Sequence, residues 1–190
     1  MGTGRLETFS DGVIAIIITI MVLQLKIPNG SSVLALRGTI PAFFAYIVSF
    51  SILGIYWSNH HNLIRATKHV TTGIMWANLH LLFWLSLIPF ATSWIGLNYQ
   101  ESIPTAFYSV LLFFCAVAYT ILEYAIVKHH GKDTKLAKSL GNDLKGKISL
   151  GLYTLAIIAA FFHPWISDFL FVIVALIWFI PENRLQIEDV

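Results

Sequence analysis

Six stretches of the chain stay apolar for longer than the core of a soluble domain requires, at about 6–27, 39–60, 74–97, 104–127, 147–162 and 165–180. None alternates with the period of two expected of a half-buried strand. In lipid, a segment of this length satisfies its backbone N–H and C=O groups internally only as a helix. The pattern therefore predicts an all-α integral membrane protein with six transmembrane helices. The last two stretches are the shortest, and His163-Pro164 separates them. Proline lacks the N–H that would continue a helix, so a tight hairpin is expected there with each arm spanning the bilayer. A re-entrant hairpin that dips in and out without crossing fits the same residues.

The polar positions between the stretches set the sidedness, because Lys and Arg near span ends mark the cytoplasmic side. Arg5, Arg65, Lys68, Lys128, Lys132, Lys135, Lys138, Lys145, Lys147 and Arg184 fall on one side, against Lys26 and Arg37 on the other. Both termini are expected in the cytoplasm, and the division is the same for a re-entrant hairpin. Trp76, Trp94 and Trp165 near span ends suit interfacial anchoring. Val13 to Leu23 is short enough to imitate a signal peptide. No small-x-small pattern follows Leu23, however, and Gln24-Leu25-Lys26-Ile27-Pro28 reads as a helix leaving the membrane, so the segment is read as part of the folded chain. Between Lys128 and Lys147, Leu136, Leu140 and Leu144 recur every four residues beneath the lysines. Either a short helix lying on anionic lipid or a solvated loop accounts for them.

Composition narrows the function. With 57% apolar and 12% charged residues and a mean hydropathy of +0.74, the chain is far from soluble domains, about a quarter of whose residues are charged. Six spans of about 20 residues would occupy roughly 120 positions, which leaves no separate catalytic domain. The single cysteine, Cys115, excludes an intrachain disulfide and argues against a thiolate metal cluster. The metalloprotease pattern H-E-x-x-H is absent. His60-His61 and His129-His130 are adjacent pairs whose side chains diverge by about 100° on a helix, a poor geometry for sharing one metal. No phosphate loop or serine elbow appears, so no enzyme and no metal or cofactor is expected. The basic residues lie between membrane spans, where anionic lipid is a nearer partner than nucleic acid. Glu101, Asp133, Asp143 and Asp168 read as solvated, and Glu123 as snorkelling to the interface.

The first stretch opens with Arg5-Leu6-Glu7-Thr8-Phe9-Ser10-Asp11-Gly12-Val13 before turning wholly apolar. A charged side chain at a span centre costs about 2.5–3.5 kcal/mol, and less near the interface. Asp11 therefore needs partners or water, unless Ser10 and Asp11 simply cap the helix N-terminus. On a helical wheel with Ile16 at zero, Ile20 falls at about +40°, Leu23 at about −20° and Thr19 at about −60°. Asp11 and Ser10 lie about 140° and 120° away from Ile16. If the Ile16–Ile20–Leu23 stripe lines something, Asp11 points into neighbouring helices. Ordinary lipid-facing or packing surface is the alternative reading of the stripe.

The run from Arg5 to Ile16, R-x-x-x-F-S-D-G-V-x-A-I, resembles the opening of the transmembrane protein 175 family of potassium channels. Trp57-Ser58-Asn59-His60-His61 and Ser86-Leu87-Ile88-Pro89-Phe90 are similar to that family's second and third helices. The resemblance covers nearly the whole chain as one six-span unit; animal members carry two, so a single unit points to the prokaryotic branch and its plasma membrane. It implies a homotetramer with the first helix of each subunit around the axis, conducting potassium passively and without a Thr-Val-Gly-Tyr-Gly filter. It implies Ile16, Ile20 and Leu23 as apolar pore rings. Thr19, at the stripe's edge, faces the ion path or bonds an adjacent helix. Arg5, Phe9, Ser10 and Asp11 are expected in a hydrogen-bond network with Trp57, His60 and His61, and with Asn78 and His80 of the third span. The competing reading is a proton-conducting or proton-coupled transporter using Asp11 and the histidines.

Overall fold

The structure, a computed structural model, describes residues 2–67, 69–130 and 143–179. Its helices are α1 (Thr3–Leu23), α2 (Val33–Arg37), α3 (Ile40–Arg65), α4 (Thr72–Ser86), α5 (Ile88–Leu97), α6 (Ser102–His130), α7 (Leu144–Ala159) and α8 (Pro164–Phe179). Among the described residues, four segments are long and apolar enough to cross a membrane: Thr3–Leu23, Ile40–Arg65, Thr72–Leu97 and Ser102–His129. Helix α7 has 16 residues, or about 24 Å of rise against roughly 30 Å of hydrocarbon, and α8 is described as far as Phe179. Lys68, Lys132, Lys135, Lys138, Arg184 and most of the expected lipid-bound helix, including Leu136 and Leu140, lie outside the described residues. Leu144 opens α7 instead.

Local chemistry sets the helix ends. Ser32, Thr71 and Asp143 cap α2, α4 and α7 by accepting from the backbone N–H groups of Ala35, Ile74 and Gly146. Asp143 is therefore engaged at a helix end rather than merely solvated. Pro41, Pro89 and Pro164 occupy first-turn positions, where a missing N–H costs nothing. Pro89 also explains why the third apolar stretch is two helices and not one. Its ring cannot continue α4, and the chain breaks at Leu87. The first helix starts at Thr3 and stops at Leu23, where the Gln24 N–H bonds the Met21 carbonyl and the Leu25 N–H the Val22 carbonyl, short of the expected Ile27. The second runs five residues past His60, to Arg65. His163 donates its N–H to the Ala159 carbonyl in the turn between α7 and α8.

Helix α6 sits at the centre, packed against α4, α5, α7 and α8, while α1 lies to one side against α3, α4 and α5. Leu53, Leu63, Ile64, Leu81, Leu85 and Leu112 form the fully buried centre of one continuous core. Glu123 on α6 is buried among the helices, so its side chain is not extended to an exposed surface. Helices α3 and α5 approach closely at Gly96, where a Cβ would lie 2.8 Å from the Ala42 Cα.

Candidate functional site

The faces of α1 follow from its sequence. Leu6, Ser10, Ile14, Ile17 and Met21 are buried, and on the wheel they fall between about +80° and +160° from Ile16. Opposite them, Ile16 is 60% exposed, Ile20 43% and Leu23 77%. Thr19 is exposed too, and its hydroxyl donates to the Ala15 carbonyl of its own helix at 2.9 Å. Among the described residues it makes no bond to an adjacent helix. Arg5 and Phe9 share this exposed face. They fall at about −20° and +20°, too far round the helix to reach the partners of Ser10.

The packed side of α1 carries a polar network at its N-terminal half. Ser10 donates to the Leu6 carbonyl at 2.8 Å and accepts from the Asn78 amide at 3.0 Å. Asn78 Oδ1 in turn lies 2.6 Å from His60 Nε2. Since the Asn78 NH₂ is spent on Ser10, its carbonyl oxygen accepts and His60 donates from Nε2. That leaves His60 Nδ1 as a bare lone pair, the buried side-chain polar atom without a partner among the described residues. Asp11 accepts from Trp57 Nε1 at 3.0 Å, and Glu7 pairs with His61 at 2.8 Å. Ser10 and Asp11 thus lie two turns inside α1 and bridge helices, rather than capping its N-terminus. His80 does not join them: it accepts from Trp84 Nε1 at 2.9 Å, one turn along α4, and Trp84 stacks on Phe114.

Two features escaped sequence reasoning. Glu7 is one turn before Asp11 on the same face, a spacing that was the available signal. A second buried polar cluster joins α3, α5 and α6: Thr92 donates to Ser49 at 2.7 Å, and Ser49 and Tyr108 share a 2.7 Å bond. Nothing in their spacing links three residues on three helices. Ser49 and His60 are eleven residues apart on α3, or about 16 Å of rise, so the two clusters are distinct.

The geometry can be set beside known proteins. Residues 5–89 match the family model described as endosomal/lysosomal potassium channel TMEM175. A protein from Chryseobacterium sp. (strain P1-3) named as a potassium channel is 51% identical over 186 residues, spanning 98% of this chain and 97% of that one. Another so named, from Streptomyces collinus, is 33% identical over 66% of this chain and 65% of its own. A solved structure of a lysosomal potassium-selective channel TMEM175 homologue from Chamaesiphon minutus superposes with a TM-score of 0.82 at 26% identity. The match covers 93% of this chain and 95% of that chain. The family is one of ion channels and not a class of enzymes. With its Arg5-to-Ile16 opening, its packed network at Ser10 and Asp11, and a near full-length relative, the chain belongs to the TMEM175 family.

Proposed function

We propose that the chain is a potassium-selective channel of a prokaryotic plasma membrane: one six-span unit with cytoplasmic termini, assembled as a homotetramer whose α1 helices surround the ion path. The observation that carries the reading is the exposed stripe of Ile16, Ile20 and Leu23 opposite the packed face of α1. One helix cannot enclose a path, and closed rotational symmetry supplies a ring from each residue. Ile16 to Leu23 spans about 10 Å of rise, an apolar constriction long enough to dewet when narrow. Ile16 is the tightest ring and small rotations of α1 open it. Thr19 gives its proton to Ala15, which leaves oxygen lone pairs to face a partly dehydrated cation, and potassium loses its water at lower cost than sodium. Arg5 and Phe9 meet neighbouring subunits at the cytoplasmic end.

Relatives named as potassium channels, and a solved structure described as a potassium-selective channel homologue, favour potassium over the proton reading. The test is flux from liposomes holding the purified protein under a potassium and then a sodium gradient, each with and without a protonophore. Potassium flux exceeds sodium flux and needs the protonophore only for charge balance. Ile16→Ala and Ile16→Asn raise the leak about tenfold, equivalent to about 1.4 kcal/mol off the barrier, and weaken selectivity. Unchanged currents in both variants would refute the assignment, and proton movement without potassium flux would transfer the function to Asp11 and the histidines.

A further inference from the structure

We propose that Glu7, Asp11 and His61 form a binding site for a divalent transition-metal ion, zinc being the best chemical match, which ties α1 to α3. One ligand atom from each residue lies within 4.8 Å of the other two. The carboxylates are one turn apart on α1, and the imidazole comes from α3, one turn after Trp57. All three groups are half-buried, with His61 and Glu7 side chains 34% and 23% exposed, so an ion and a water ligand can enter from solvent.

The donor set selects the ion. Calcium takes six to eight oxygens and magnesium a near-ideal octahedron of them, whereas two carboxylates, one imidazole and a water make a four-coordinate zinc site. At zinc–ligand distances of about 2.0–2.1 Å, tetrahedral angles put ligand atoms about 3.3 Å apart. His61 Nδ1 and Glu7 Oε1 are 2.8 Å apart, a separation bridged by a proton. The metal takes that position: His61 binds through Nδ1 as the neutral ring with its one proton on Nε2, and the pair opens by about half an ångström as Asp11 closes in. Trp57 Nε1 donates to Asp11 Oδ1, fixing the carboxylate while its other lone pairs stay available, as outer-shell donors do in metal sites.

The experiment uses the full chain with any affinity tag removed, titrated with Co²⁺ followed by visible absorption, and with Zn²⁺ in competition. One ion binds per chain, with the intense bands of a four-coordinate site. Glu7→Gln and His61→Gln each weaken binding at least tenfold, His69→Gln leaves it unchanged, and Glu7→His restores what Glu7→Gln loses. Protection of the unmodified protein against heat by Zn²⁺ and not by Mg²⁺ tests the site without any variant. No saturable binding to the unmodified chain, or equal binding by the Glu7→Gln and His61→Gln variants, overturns the proposal. Binding is read without ion flux, so neither result depends on the channel reading.

Discussion

Replacing Asn78 by alanine tests whether one amide sets the seating of α1. Asn78 is fully buried on α4 and makes two side-chain bonds, accepting from His60 on α3 at 2.6 Å and donating to Ser10 on α1 at 3.0 Å. Interhelical hydrogen bonds in membranes average about 0.6 kcal/mol and reach about 1.7. Losing two costs about 1–3 kcal/mol. The His60 Nε2–H is then stranded beside an Nδ1 that already lacks a partner, and an unsatisfied buried donor lies at the upper end of such penalties. The expected loss is therefore about 2–3 kcal/mol, or roughly 30- to 150-fold in the folded ratio. Asn78→Leu refills the volume but still strands His60, so it stays destabilised, whereas His60→Leu with Asn78→Leu removes donor and acceptor together and recovers most of the loss. The assay is unfolding in detergent micelles for the four members of the double-mutant cycle, with liposome potassium flux alongside to report the loosened α1. A coupling energy below about 0.3 kcal/mol, within ordinary additivity, refutes the claim that the amide joins the helices.

Two further variants probe the packing that holds the bundle. Gly96→Ala brings a Cβ to 2.8 Å from the Ala42 Cα, so α3 and α5 must separate, at about 1–3 kcal/mol; an unchanged melting temperature would contradict the close approach. Ser167 donates to the Ala156 carbonyl at 2.7 Å across the α7–α8 hairpin, and Ser167→Ala loses about 1 kcal/mol, measured as earlier melting with helical content intact.

The faces of α1 were legible in the sequence because a helix repeats every 3.6 residues. The angles that group Ile16 with Ile20 and Leu23 also put Ser10 and Asp11 toward the packed side. The hairpin at His163-Pro164 was equally legible, since proline acts on its own backbone. The break at Leu87 was not, although Pro89 was in view, because apolar residues continue on both sides of it. Pairings between helices needed more. His60 and Asn78 meet, and His80, two residues further along α4, turns away to Trp84. A shift of two residues turns a side chain through about 200°, and the register between helices that decides it is absent from periodicity. For the same reason Glu7–His61 and Ser49–Thr92–Tyr108 required coordinates.

Helix α3 carries Ser49 and His60 on one line, three turns apart, and each is engaged by other helices, so it is pinned at two points and resists rolling. Helix α1 is held differently. Its bonds to other helices come from Glu7, Ser10 and Asp11; beyond Asp11 the described residues tie it to the bundle by apolar contact alone. It is a cantilever, clamped over its first three turns and free to slide on greasy neighbours out to Leu23. With about 18 Å between clamp and tip, a tilt of about 5° moves the tip by about 1.6 Å. The side chains swept furthest are Ile20 and Leu23, while Asp11 stays still.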